Sequence, residues 1–313
     1  MTILTKGFVS SCFRGKYMPR RLHIITRFAP APTGYLHLGH VVNTIFVWGI
    51  ARQAGGTVLL RIEDHDRQRS RREYETAILE DLAWLGFEAD APPLRQSERG
   101  DIYTHALETL RQRGRIYACA CSRAKIGARG FQPSESAELR YPGTCRDRGI
   151  VDDGRVGLRV RLDDAIERFD DLRHGPQGQR PSEQCGDVLI RDRDGNWTYQ
   201  FAATVDDFVQ GVTHAIRGDD LLASTGRQIQ IARLLGRAAP PRFLHHPLIM
   251  KSVDQKLSKS DHDTGVRDLR AQGWTAPRVI GRAACLAGLI SQPHDVPAGD
   301  VSSMMSAFLR GLS

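Results

Sequence analysis

Hydrophobic and polar residues follow two different periods along this chain, and the switches between them mark its elements. HIITRF (23–28) is rich in β-branched residues and reads as a buried strand; Pro30 and Pro32 then force an extended loop. Past Thr33 and Gly34 a helix is expected from about Leu38 to Ala54, stopped by Gly55 and Gly56. TVLLRIED (57–64) is a second buried strand that ends in carboxylates. In SRREYETAILEDLAWLG (70–86), Tyr74, Ile78, Leu82 and Leu85 share one helical face, with Gly86 as its stop. Strand, helix, strand, helix predicts an α/β fold, a parallel sheet with crossover helices on both faces.

The pattern changes near Arg115. From there to about Asp187 the chain is rich in Gly, Pro, Arg and Asp and includes VGLRVRLDD (156–164), which alternates as a half-exposed strand does. Residues 116–187 therefore read as an inserted subdomain, dividing a first half over 23–115 from a second over 188–260. In DVLIRDRDGNWTYQF (187–201), Asp194-Gly195 suits a two-residue hairpin turn. HAIRGDDLL, the helix STGRQIQIARLLG (224–236) and RFLHHPLIM then resemble a second αβ half. Residues 261–313 are expected to form a short helical segment.

Composition narrows the possibilities. The 313 residues are 41% hydrophobic and 26% charged, ordinary for a soluble enzyme, and the longest apolar run, Val41 to Ile50, is too short to span a bilayer. A cytoplasmic monomer is expected. The net charge of +8 favours a polyanionic partner. Because the first acidic residue is Glu63, residues 1–22 form a basic tail; it resembles a transit leader, is expected to be disordered, and contains Met18 as a candidate start. Three of the six cysteines, Cys119, Cys121 and Cys145, fall within 27 positions, which in a cytosolic enzyme suggests metal before disulfides.

The chemistry concentrates in two short runs. His37-Leu38-Gly39-His40 enters a helix after a Pro-x-Pro-Thr-Gly loop. A His-x-x-His pair could share a metal, but no third ligand follows at a matching spacing. A helix N-terminus binds phosphate, imidazoles there can donate to phosphoryl oxygens, and a glycine in the first turn lets a base or ribose approach. KLSKS (256–260) places two ammonium groups, Lys256 and Lys259, in a polar loop after an apolar strand, suited to neutralising charge that accumulates on phosphorus during adenylyl transfer. Alone, KxxK reads as a solvated loop; the two runs in this order on these elements do not.

With HLGH and KLSKS the chain resembles the class I aminoacyl-tRNA synthetases, and RFAPAPTGYLHLGH, LLRIEDHD, WTYQFAATVDD and IRGDDLL resemble the glutamyl-tRNA synthetase group over about residues 23–265. The resemblance implies a Rossmann-like catalytic domain, ATP bound with Mg2+ by His37, Gly39, His40, Lys256, Ser258 and Lys259, and catalysis by His37, His40, Lys256 and Lys259. It implies glutamate contacts at Arg27, Phe28, Ala29, Pro30, Ala31, Glu63, Tyr199 and Arg217. Glutamate's two carboxylates suit Arg27 and Arg217, its ammonium suits Glu63, and Tyr199 could bond either. Ala31 stands where the group commonly has serine, so any contact there comes from the backbone.

Cys119, Cys121 and Cys145 supply three soft ligands for structural zinc, and from the residues alone His174 or Cys185 could be the fourth. The resemblance points instead to Tyr141, because the short glutamyl-queuosine tRNA(Asp) synthetases carry a Cys-x-Cys…Tyr-x3-Cys arrangement. Only 53 residues follow Ser260, too few for the helical anticodon-binding domain of a full glutamyl-tRNA synthetase. The expected reaction is therefore glutamate activation followed by transfer to the queuosine of tRNA(Asp). The alternatives are charging of the 3′ end of tRNA(Glu), adenylyl transfer to a small molecule, against which the glutamate-selective motifs argue, and a non-catalytic RNA-binding paralogue, against which intact HLGH and KLSKS argue. Arg123, Arg146, Arg267 and Arg270 are candidate RNA contacts.

Overall fold

The two strands that open the sequence pair in parallel. β1 (Ile25–Phe28) lies beside β2 (Thr57–Ile62), with Ile25 opposite Thr57 and Phe28 opposite Leu60. Helix α1 (Leu38–Gln53) connects them; α2 (Arg72–Leu85) follows and ends at Gly86, and β3 (Leu94–Arg95) pairs in parallel with the other edge of β2. The computed structural model describes residues 23–127, 139–252, 255–256 and 265–311, with the main chain alone at Arg123, Met250–Ser252 and Gln255–Lys256. The basic tail expected over 1–22 lies outside the described residues.

Helix α3 (Gly100–Gln112) leads to β4 (Ile116–Cys119), the short α4 (Arg123–Gly127) and β5 (Gly157–Val160). A hairpin of β6 (Glu167–Asp171) and β7 (Gly175–Gln179), the one-turn α5 (Pro181–Gln184) and β8 (Val188–Arg191) come next. The second αβ half follows as α6 (Tyr199–Val209), β9 (His214–Gly218), α7 (Thr225–Leu235) and β10 (Arg242–His246). β11 (Met250–Ser252) and β12 (Gln255–Lys256) pair antiparallel, and α8 (Val266–Ala271), α9 (Ala276–Leu286) and α10 (Val301–Arg310) complete the described chain.

β10 pairs in parallel with β9 on one side and β6 on the other, giving the order β7-β6-β10-β9. This sheet meets the first at β1 and β9, where Thr213 donates its N–H to the Ile25 carbonyl (2.9 Å) and Ile25 donates to the Thr213 hydroxyl (2.8 Å). The parallel halves thus sit side by side, and their carboxyl ends share one crevice, the usual ligand position in open α/β sheets.

Three sequence expectations differ from the pairings. The hairpin β6-β7, inside the expected insertion of 116–187, joins the second parallel sheet through Phe243 opposite Asp171, while β8, expected in the second half, pairs antiparallel with β5. The composition of 116–187 reports exposure and loop content, not strand partnership. β5 is buried at every position instead of half-exposed, because Arg159 folds over the Tyr141 ring with its guanidinium carbon 3.7 Å from the ring centre. The expected two-residue turn is a three-residue loop: Asp192 donates to the Asn196 carbonyl (2.9 Å), and Gly195, at φ 83°, takes the left-handed residue that closes it.

Helix α1 occupies the centre of the larger core. Val41, Val42, Ile45, Phe46, Val47, Trp48 and Ile50 are all buried, so nearly its whole circumference is covered. At roughly 1.5–3 kcal/mol for each large apolar side chain, those seven contribute on the order of 10–20 kcal/mol before chain entropy is counted. The first parallel sheet covers part of α1, and α9 and α10 cover more. α10 comes close because residue 49 is glycine: a Cβ there would lie 2.3 Å from Met305 Cγ and 2.9 Å from the Val301 carbonyl oxygen. No helix of the described residues is long and apolar enough to cross a membrane.

Candidate active site

The carboxyl ends of β1, β2 and β9 open into a cavity of about 540 Å³. Phe28, Ala29, Pro30, Ala31, Glu63, Tyr199 and Arg217 line it, together with His37, Gly39 and His40. Arg27 does not; it stands behind the wall. Asn43, His65, Asp66, Arg69 and His246 also line the cavity and were not singled out from sequence.

The first signature caps α1. His37, extended at φ −132°, is the N-cap; its Nδ1 accepts the Gly39 N–H (3.0 Å), and His40 Nδ1 accepts the His37 N–H (3.1 Å). Each Nδ1 lone pair is therefore committed, so a neutral ring carries its proton on Nε2 and can donate from there to a phosphoryl oxygen. Gly39 has a nearer reason than approach of a base: a Cβ there would meet the His37 ring at 2.9 and 3.0 Å and displace the cap.

Behind the cavity lies a buried charge cluster. Arg61, wholly buried, donates to Asp207 (2.8 Å), Gln210 (3.0 Å) and Glu63 (3.2 Å) and lies 3.9 Å from Asp206. Arg27 donates to Asp207 (2.9 Å) and the Ile216 carbonyl (3.2 Å), and Arg99 to Asp206 (2.6 Å). Burial drives the Asp207 carboxyl pKa up, but Arg27 and Arg61 outweigh it and hold it well below the usual range. For Glu63 burial wins over Arg61, and the pKa lies above its ordinary value. Burial and the neighbouring Glu63 likewise raise the Tyr199 phenol.

Arg217 differs from the other three arginines. Its Nε donates to His245 Nε2 (3.0 Å), one Nη to Gln228 Oε1 (2.5 Å) and the other to Thr225 Oγ1 (2.8 Å), all neutral acceptors. Among the described residues it makes no ion pair, and burial lowers its pKa. Arg27, Arg61 and Arg99 are thus paired directly with Glu63, Asp206 and Asp207, whereas Arg217, at the cavity wall, has no carboxylate in direct contact among the described residues. A substrate carboxylate suits that position.

The segments flanking the second signature reach the same place. Leu248 and Ile249 line the cavity, Lys256 pairs with Met250 across β11-β12, and Gly265 forms a bridge with His37 while Val266 donates to the Leu36 carbonyl (2.9 Å). Ser258 and Lys259 lie outside the described residues.

At the end of β4, the thiols of Cys119, Cys121 and Cys145 lie within 4.8 Å of one another, the last two on loops. The Tyr141 hydroxyl is 3.4 Å from Cys119 Sγ and accepts the Cys145 N–H (2.8 Å). Arg159, also stacked on Tyr141, donates to Cys119 Sγ (3.3 Å). The three thiols could hold a metal ion, and the Tyr141 hydroxyl lies beside them. The other two fourth-ligand candidates are engaged elsewhere: His174 bonds Asp219 (2.7 Å), and the Cys185 thiol donates to the Pro181 and Gly186 carbonyls (3.3 and 3.2 Å). Of the candidate RNA contacts, Arg146 is bidentate on Asp187 (2.7 and 2.5 Å), Arg267 pairs with Glu80 (2.8 Å), Arg270 stacks on Trp84 (5.3 Å), and the side chain of Arg123 lies outside the description.

Residues 23–293 match the family model described as tRNA synthetases class I (E and Q), catalytic domain. A Glutamyl-Q tRNA(Asp) synthetase of Rhodobacter capsulatus is 41% identical over 80% of this chain and 96% of its own length, and one of Nitratidesulfovibrio vulgaris 40% over 87% and 88%. A Glutamate--tRNA ligase 1 of Acidithiobacillus ferrooxidans is 43% identical over 81% of this chain, but the match spans only 54% of that protein. Among solved structures, a glutamate tRNA ligase from Elizabethkingia meningosepticum superposes with a TM-score of 0.73 at 26% identity, over 89% of this chain and 64% of that one. With the cavity, the two signatures and these matches in agreement, the chain belongs to the class I (E and Q) tRNA synthetases, in the group of the glutamyl-Q tRNA(Asp) synthetases.

Proposed function

We propose that this protein activates L-glutamate with ATP and transfers the glutamyl group to the queuosine base of tRNA(Asp). The observation that carries the glutamate assignment is Arg217, a buried guanidinium on neutral tethers at the wall of a cavity that also presents Glu63 and Tyr199. Arg217 takes a substrate carboxylate, Glu63 the ammonium, and the Tyr199 hydroxyl bonds either; the main chain of Phe28 to Ala31 forms the remaining wall. Arg27 acts one layer back, holding Asp207.

ATP enters as its Mg2+ complex. The glutamate α-carboxylate attacks the α-phosphorus, forming the mixed anhydride as the bond to pyrophosphate breaks. His37 and His40 donate from Nε2 to phosphate oxygens, Gly39 leaves room for the cap that orients them, and Lys256, Ser258 and Lys259 bind the phosphates as charge accumulates, the lysines stabilising the transition state. A hydroxyl of the queuosine cyclopentenediol then attacks the activated carbonyl and AMP departs. No protein nucleophile is required.

Cys119, Cys121, Cys145 and Tyr141 hold one structural Zn2+, which ties β4 to the segment before β5. The cluster, with its tyrosine, supports the queuosine reading over transfer to the 3′ end of tRNA(Glu), as does the match to glutamyl-Q relatives along nearly their whole length. Incubation with ATP, labelled glutamate and matched tRNAs with and without queuosine tests the proposal. Label on queuosine-bearing tRNA(Asp) alone is expected. Label that ignores queuosine or appears on tRNA(Glu) sinks it, and pyrophosphate exchange with no labelled RNA points to a small-molecule acceptor.

A further inference from the structure

Arg217 is held from behind by a chain of two further buried groups that the reaction itself does not use. His245, on β10 next to β9, accepts the Arg217 Nε–H on its own Nε2 (3.0 Å), and its Nδ1 lies 2.6 Å from Asp171 Oδ2, on β6. Both His245 and Asp171 are essentially inaccessible to solvent. Asp171 also accepts the N–H groups of His245 (3.1 Å), Arg173 (3.0 Å) and His174 (2.9 Å), so its carboxylate is fixed in place and can only accept. The proton between the two side chains must then sit on His245 Nδ1, which leaves Nε2 as the acceptor that a guanidinium requires.

We propose that Asp171 and His245 are positioning residues for glutamate: Asp171 fixes the His245 tautomer, and His245 sets the plane of the Arg217 guanidinium toward the substrate carboxylate. The inference rests on Arg217 being the carboxylate-binding arginine. Its logic is electrostatic as well as geometric. A carboxylate placed directly on Arg217, as Asp207 is on Arg27, would neutralise the charge the substrate needs. Putting the imidazole between them supplies a firm neutral acceptor while the negative charge stays a full ring away. With Gln228 and Thr225 on the two terminal nitrogens, three of the five guanidinium hydrogens are tethered, and one on each terminal nitrogen remains for a bidentate contact.

Exchanging Asp171 for asparagine would turn a donor toward Nδ1, move the imidazole proton to Nε2 and set N–H against N–H at Arg217. The test measures KM for glutamate and for ATP in pyrophosphate exchange for Asp171→Asn, His245→Leu and His245→Gln. The first two should raise the glutamate KM roughly 10- to 100-fold, the scale of a misplaced binding group, with the ATP KM changed less than about threefold. His245→Gln, whose amide can accept from Arg217 and donate to Asp171, should restore most of the loss. An unchanged glutamate KM in the first two variants, or equal rises in both KM values, overturns the relay. Nitrogen-15 NMR of histidine in the unmodified protein is independent of how the variants fold: it should show His245 protonated on Nδ1, and an Nε2 proton overturns the proposal. Arg217→Lys separates the two layers: if it leaves the glutamate KM untouched, the assignment of Arg217 fails, whereas a large rise there with none in Asp171→Asn fails the relay alone.

Discussion

Replacing Arg61 by methionine removes the one cation shared by the carboxylates behind the cavity while keeping most of its volume. Asp207 would keep Arg27 (2.9 Å) and Asp206 would keep Arg99 (2.6 Å), but Glu63 would lose its only ion-pair partner among the described residues. Breaking one side of a buried ion pair costs about 3–5 kcal/mol, a large share of the roughly 5–15 kcal/mol that holds a domain folded. The loss should depend on pH in a definite direction. Glu63 already has a folded-state pKa above its ordinary value, and removing Arg61 raises it further. A carboxyl of that kind binds more protons folded than unfolded, so stability falls as pH rises through the window between its two pKa values and returns as pH falls through it. One proton changes the balance by at most about 1.4 kcal/mol per pH unit. Urea unfolding at pH 8 and pH 5.5 measures both quantities. A deficit of about 3–5 kcal/mol at pH 8 that is smaller at pH 5.5 is expected. A deficit below about 1 kcal/mol, or one equal at both values, refutes the reasoning, since Arg61 would then not be what keeps Glu63 charged.

Other perturbations separate scaffold from chemistry. His37→Asn keeps an N-cap acceptor while removing the Nε2 donor, so thermal stability should hold while activation slows by roughly 10²–10³-fold; His37→Ala should add about 0.5–2 kcal/mol of lost stability, read by thermal unfolding beside pyrophosphate exchange. Gly49→Ala forces α10 off α1 and should destabilise by about 1–3 kcal/mol, as overpacking does, with KM values unchanged in the fraction still folded. Protein purified without chelator should contain one zinc per chain by atomic emission; Cys145→Ser should lower that stoichiometry, and full occupancy in the variant would remove Cys145 from the ligand set.

Sequence patterns revealed the elements whose burial is periodic or complete: β1, α1, β2, α2 and α7 begin and end within about three residues of expectation. The cavity lining was readable because HLGH and RFAPAPTG are contiguous runs next to strand ends. What escaped was long-range partnership. Nothing near Asp171 announces that β6 pairs with a strand more than seventy residues later, so its role beneath His245 and Arg217 could not be read locally. Arg61 offered a signal that went unused: a charged residue inside the apolar strand TVLLRI must have buried partners, and the Asp206-Asp207 pair of WTYQFAATVDD provides them. The alternation of VGLRV was misleading for the converse reason, since Arg159 is covered by a tyrosine and not by water.

The packing of α9 and α10 around α1 bears on how inherited variation in this protein would be read. The helix whose first turn presents His37 and His40 is held toward its far end, at Gly49, by Met305 and Val301, neither of which lines the cavity. In a genetic screen scored only by activity, substitutions at those positions would be indistinguishable from lesions at the substrate. They should differ in one respect, behaving as temperature-sensitive alleles rescued by cooler growth or by second-site changes that stabilise the core, whereas alleles at Arg217 or His37 should fail at every temperature.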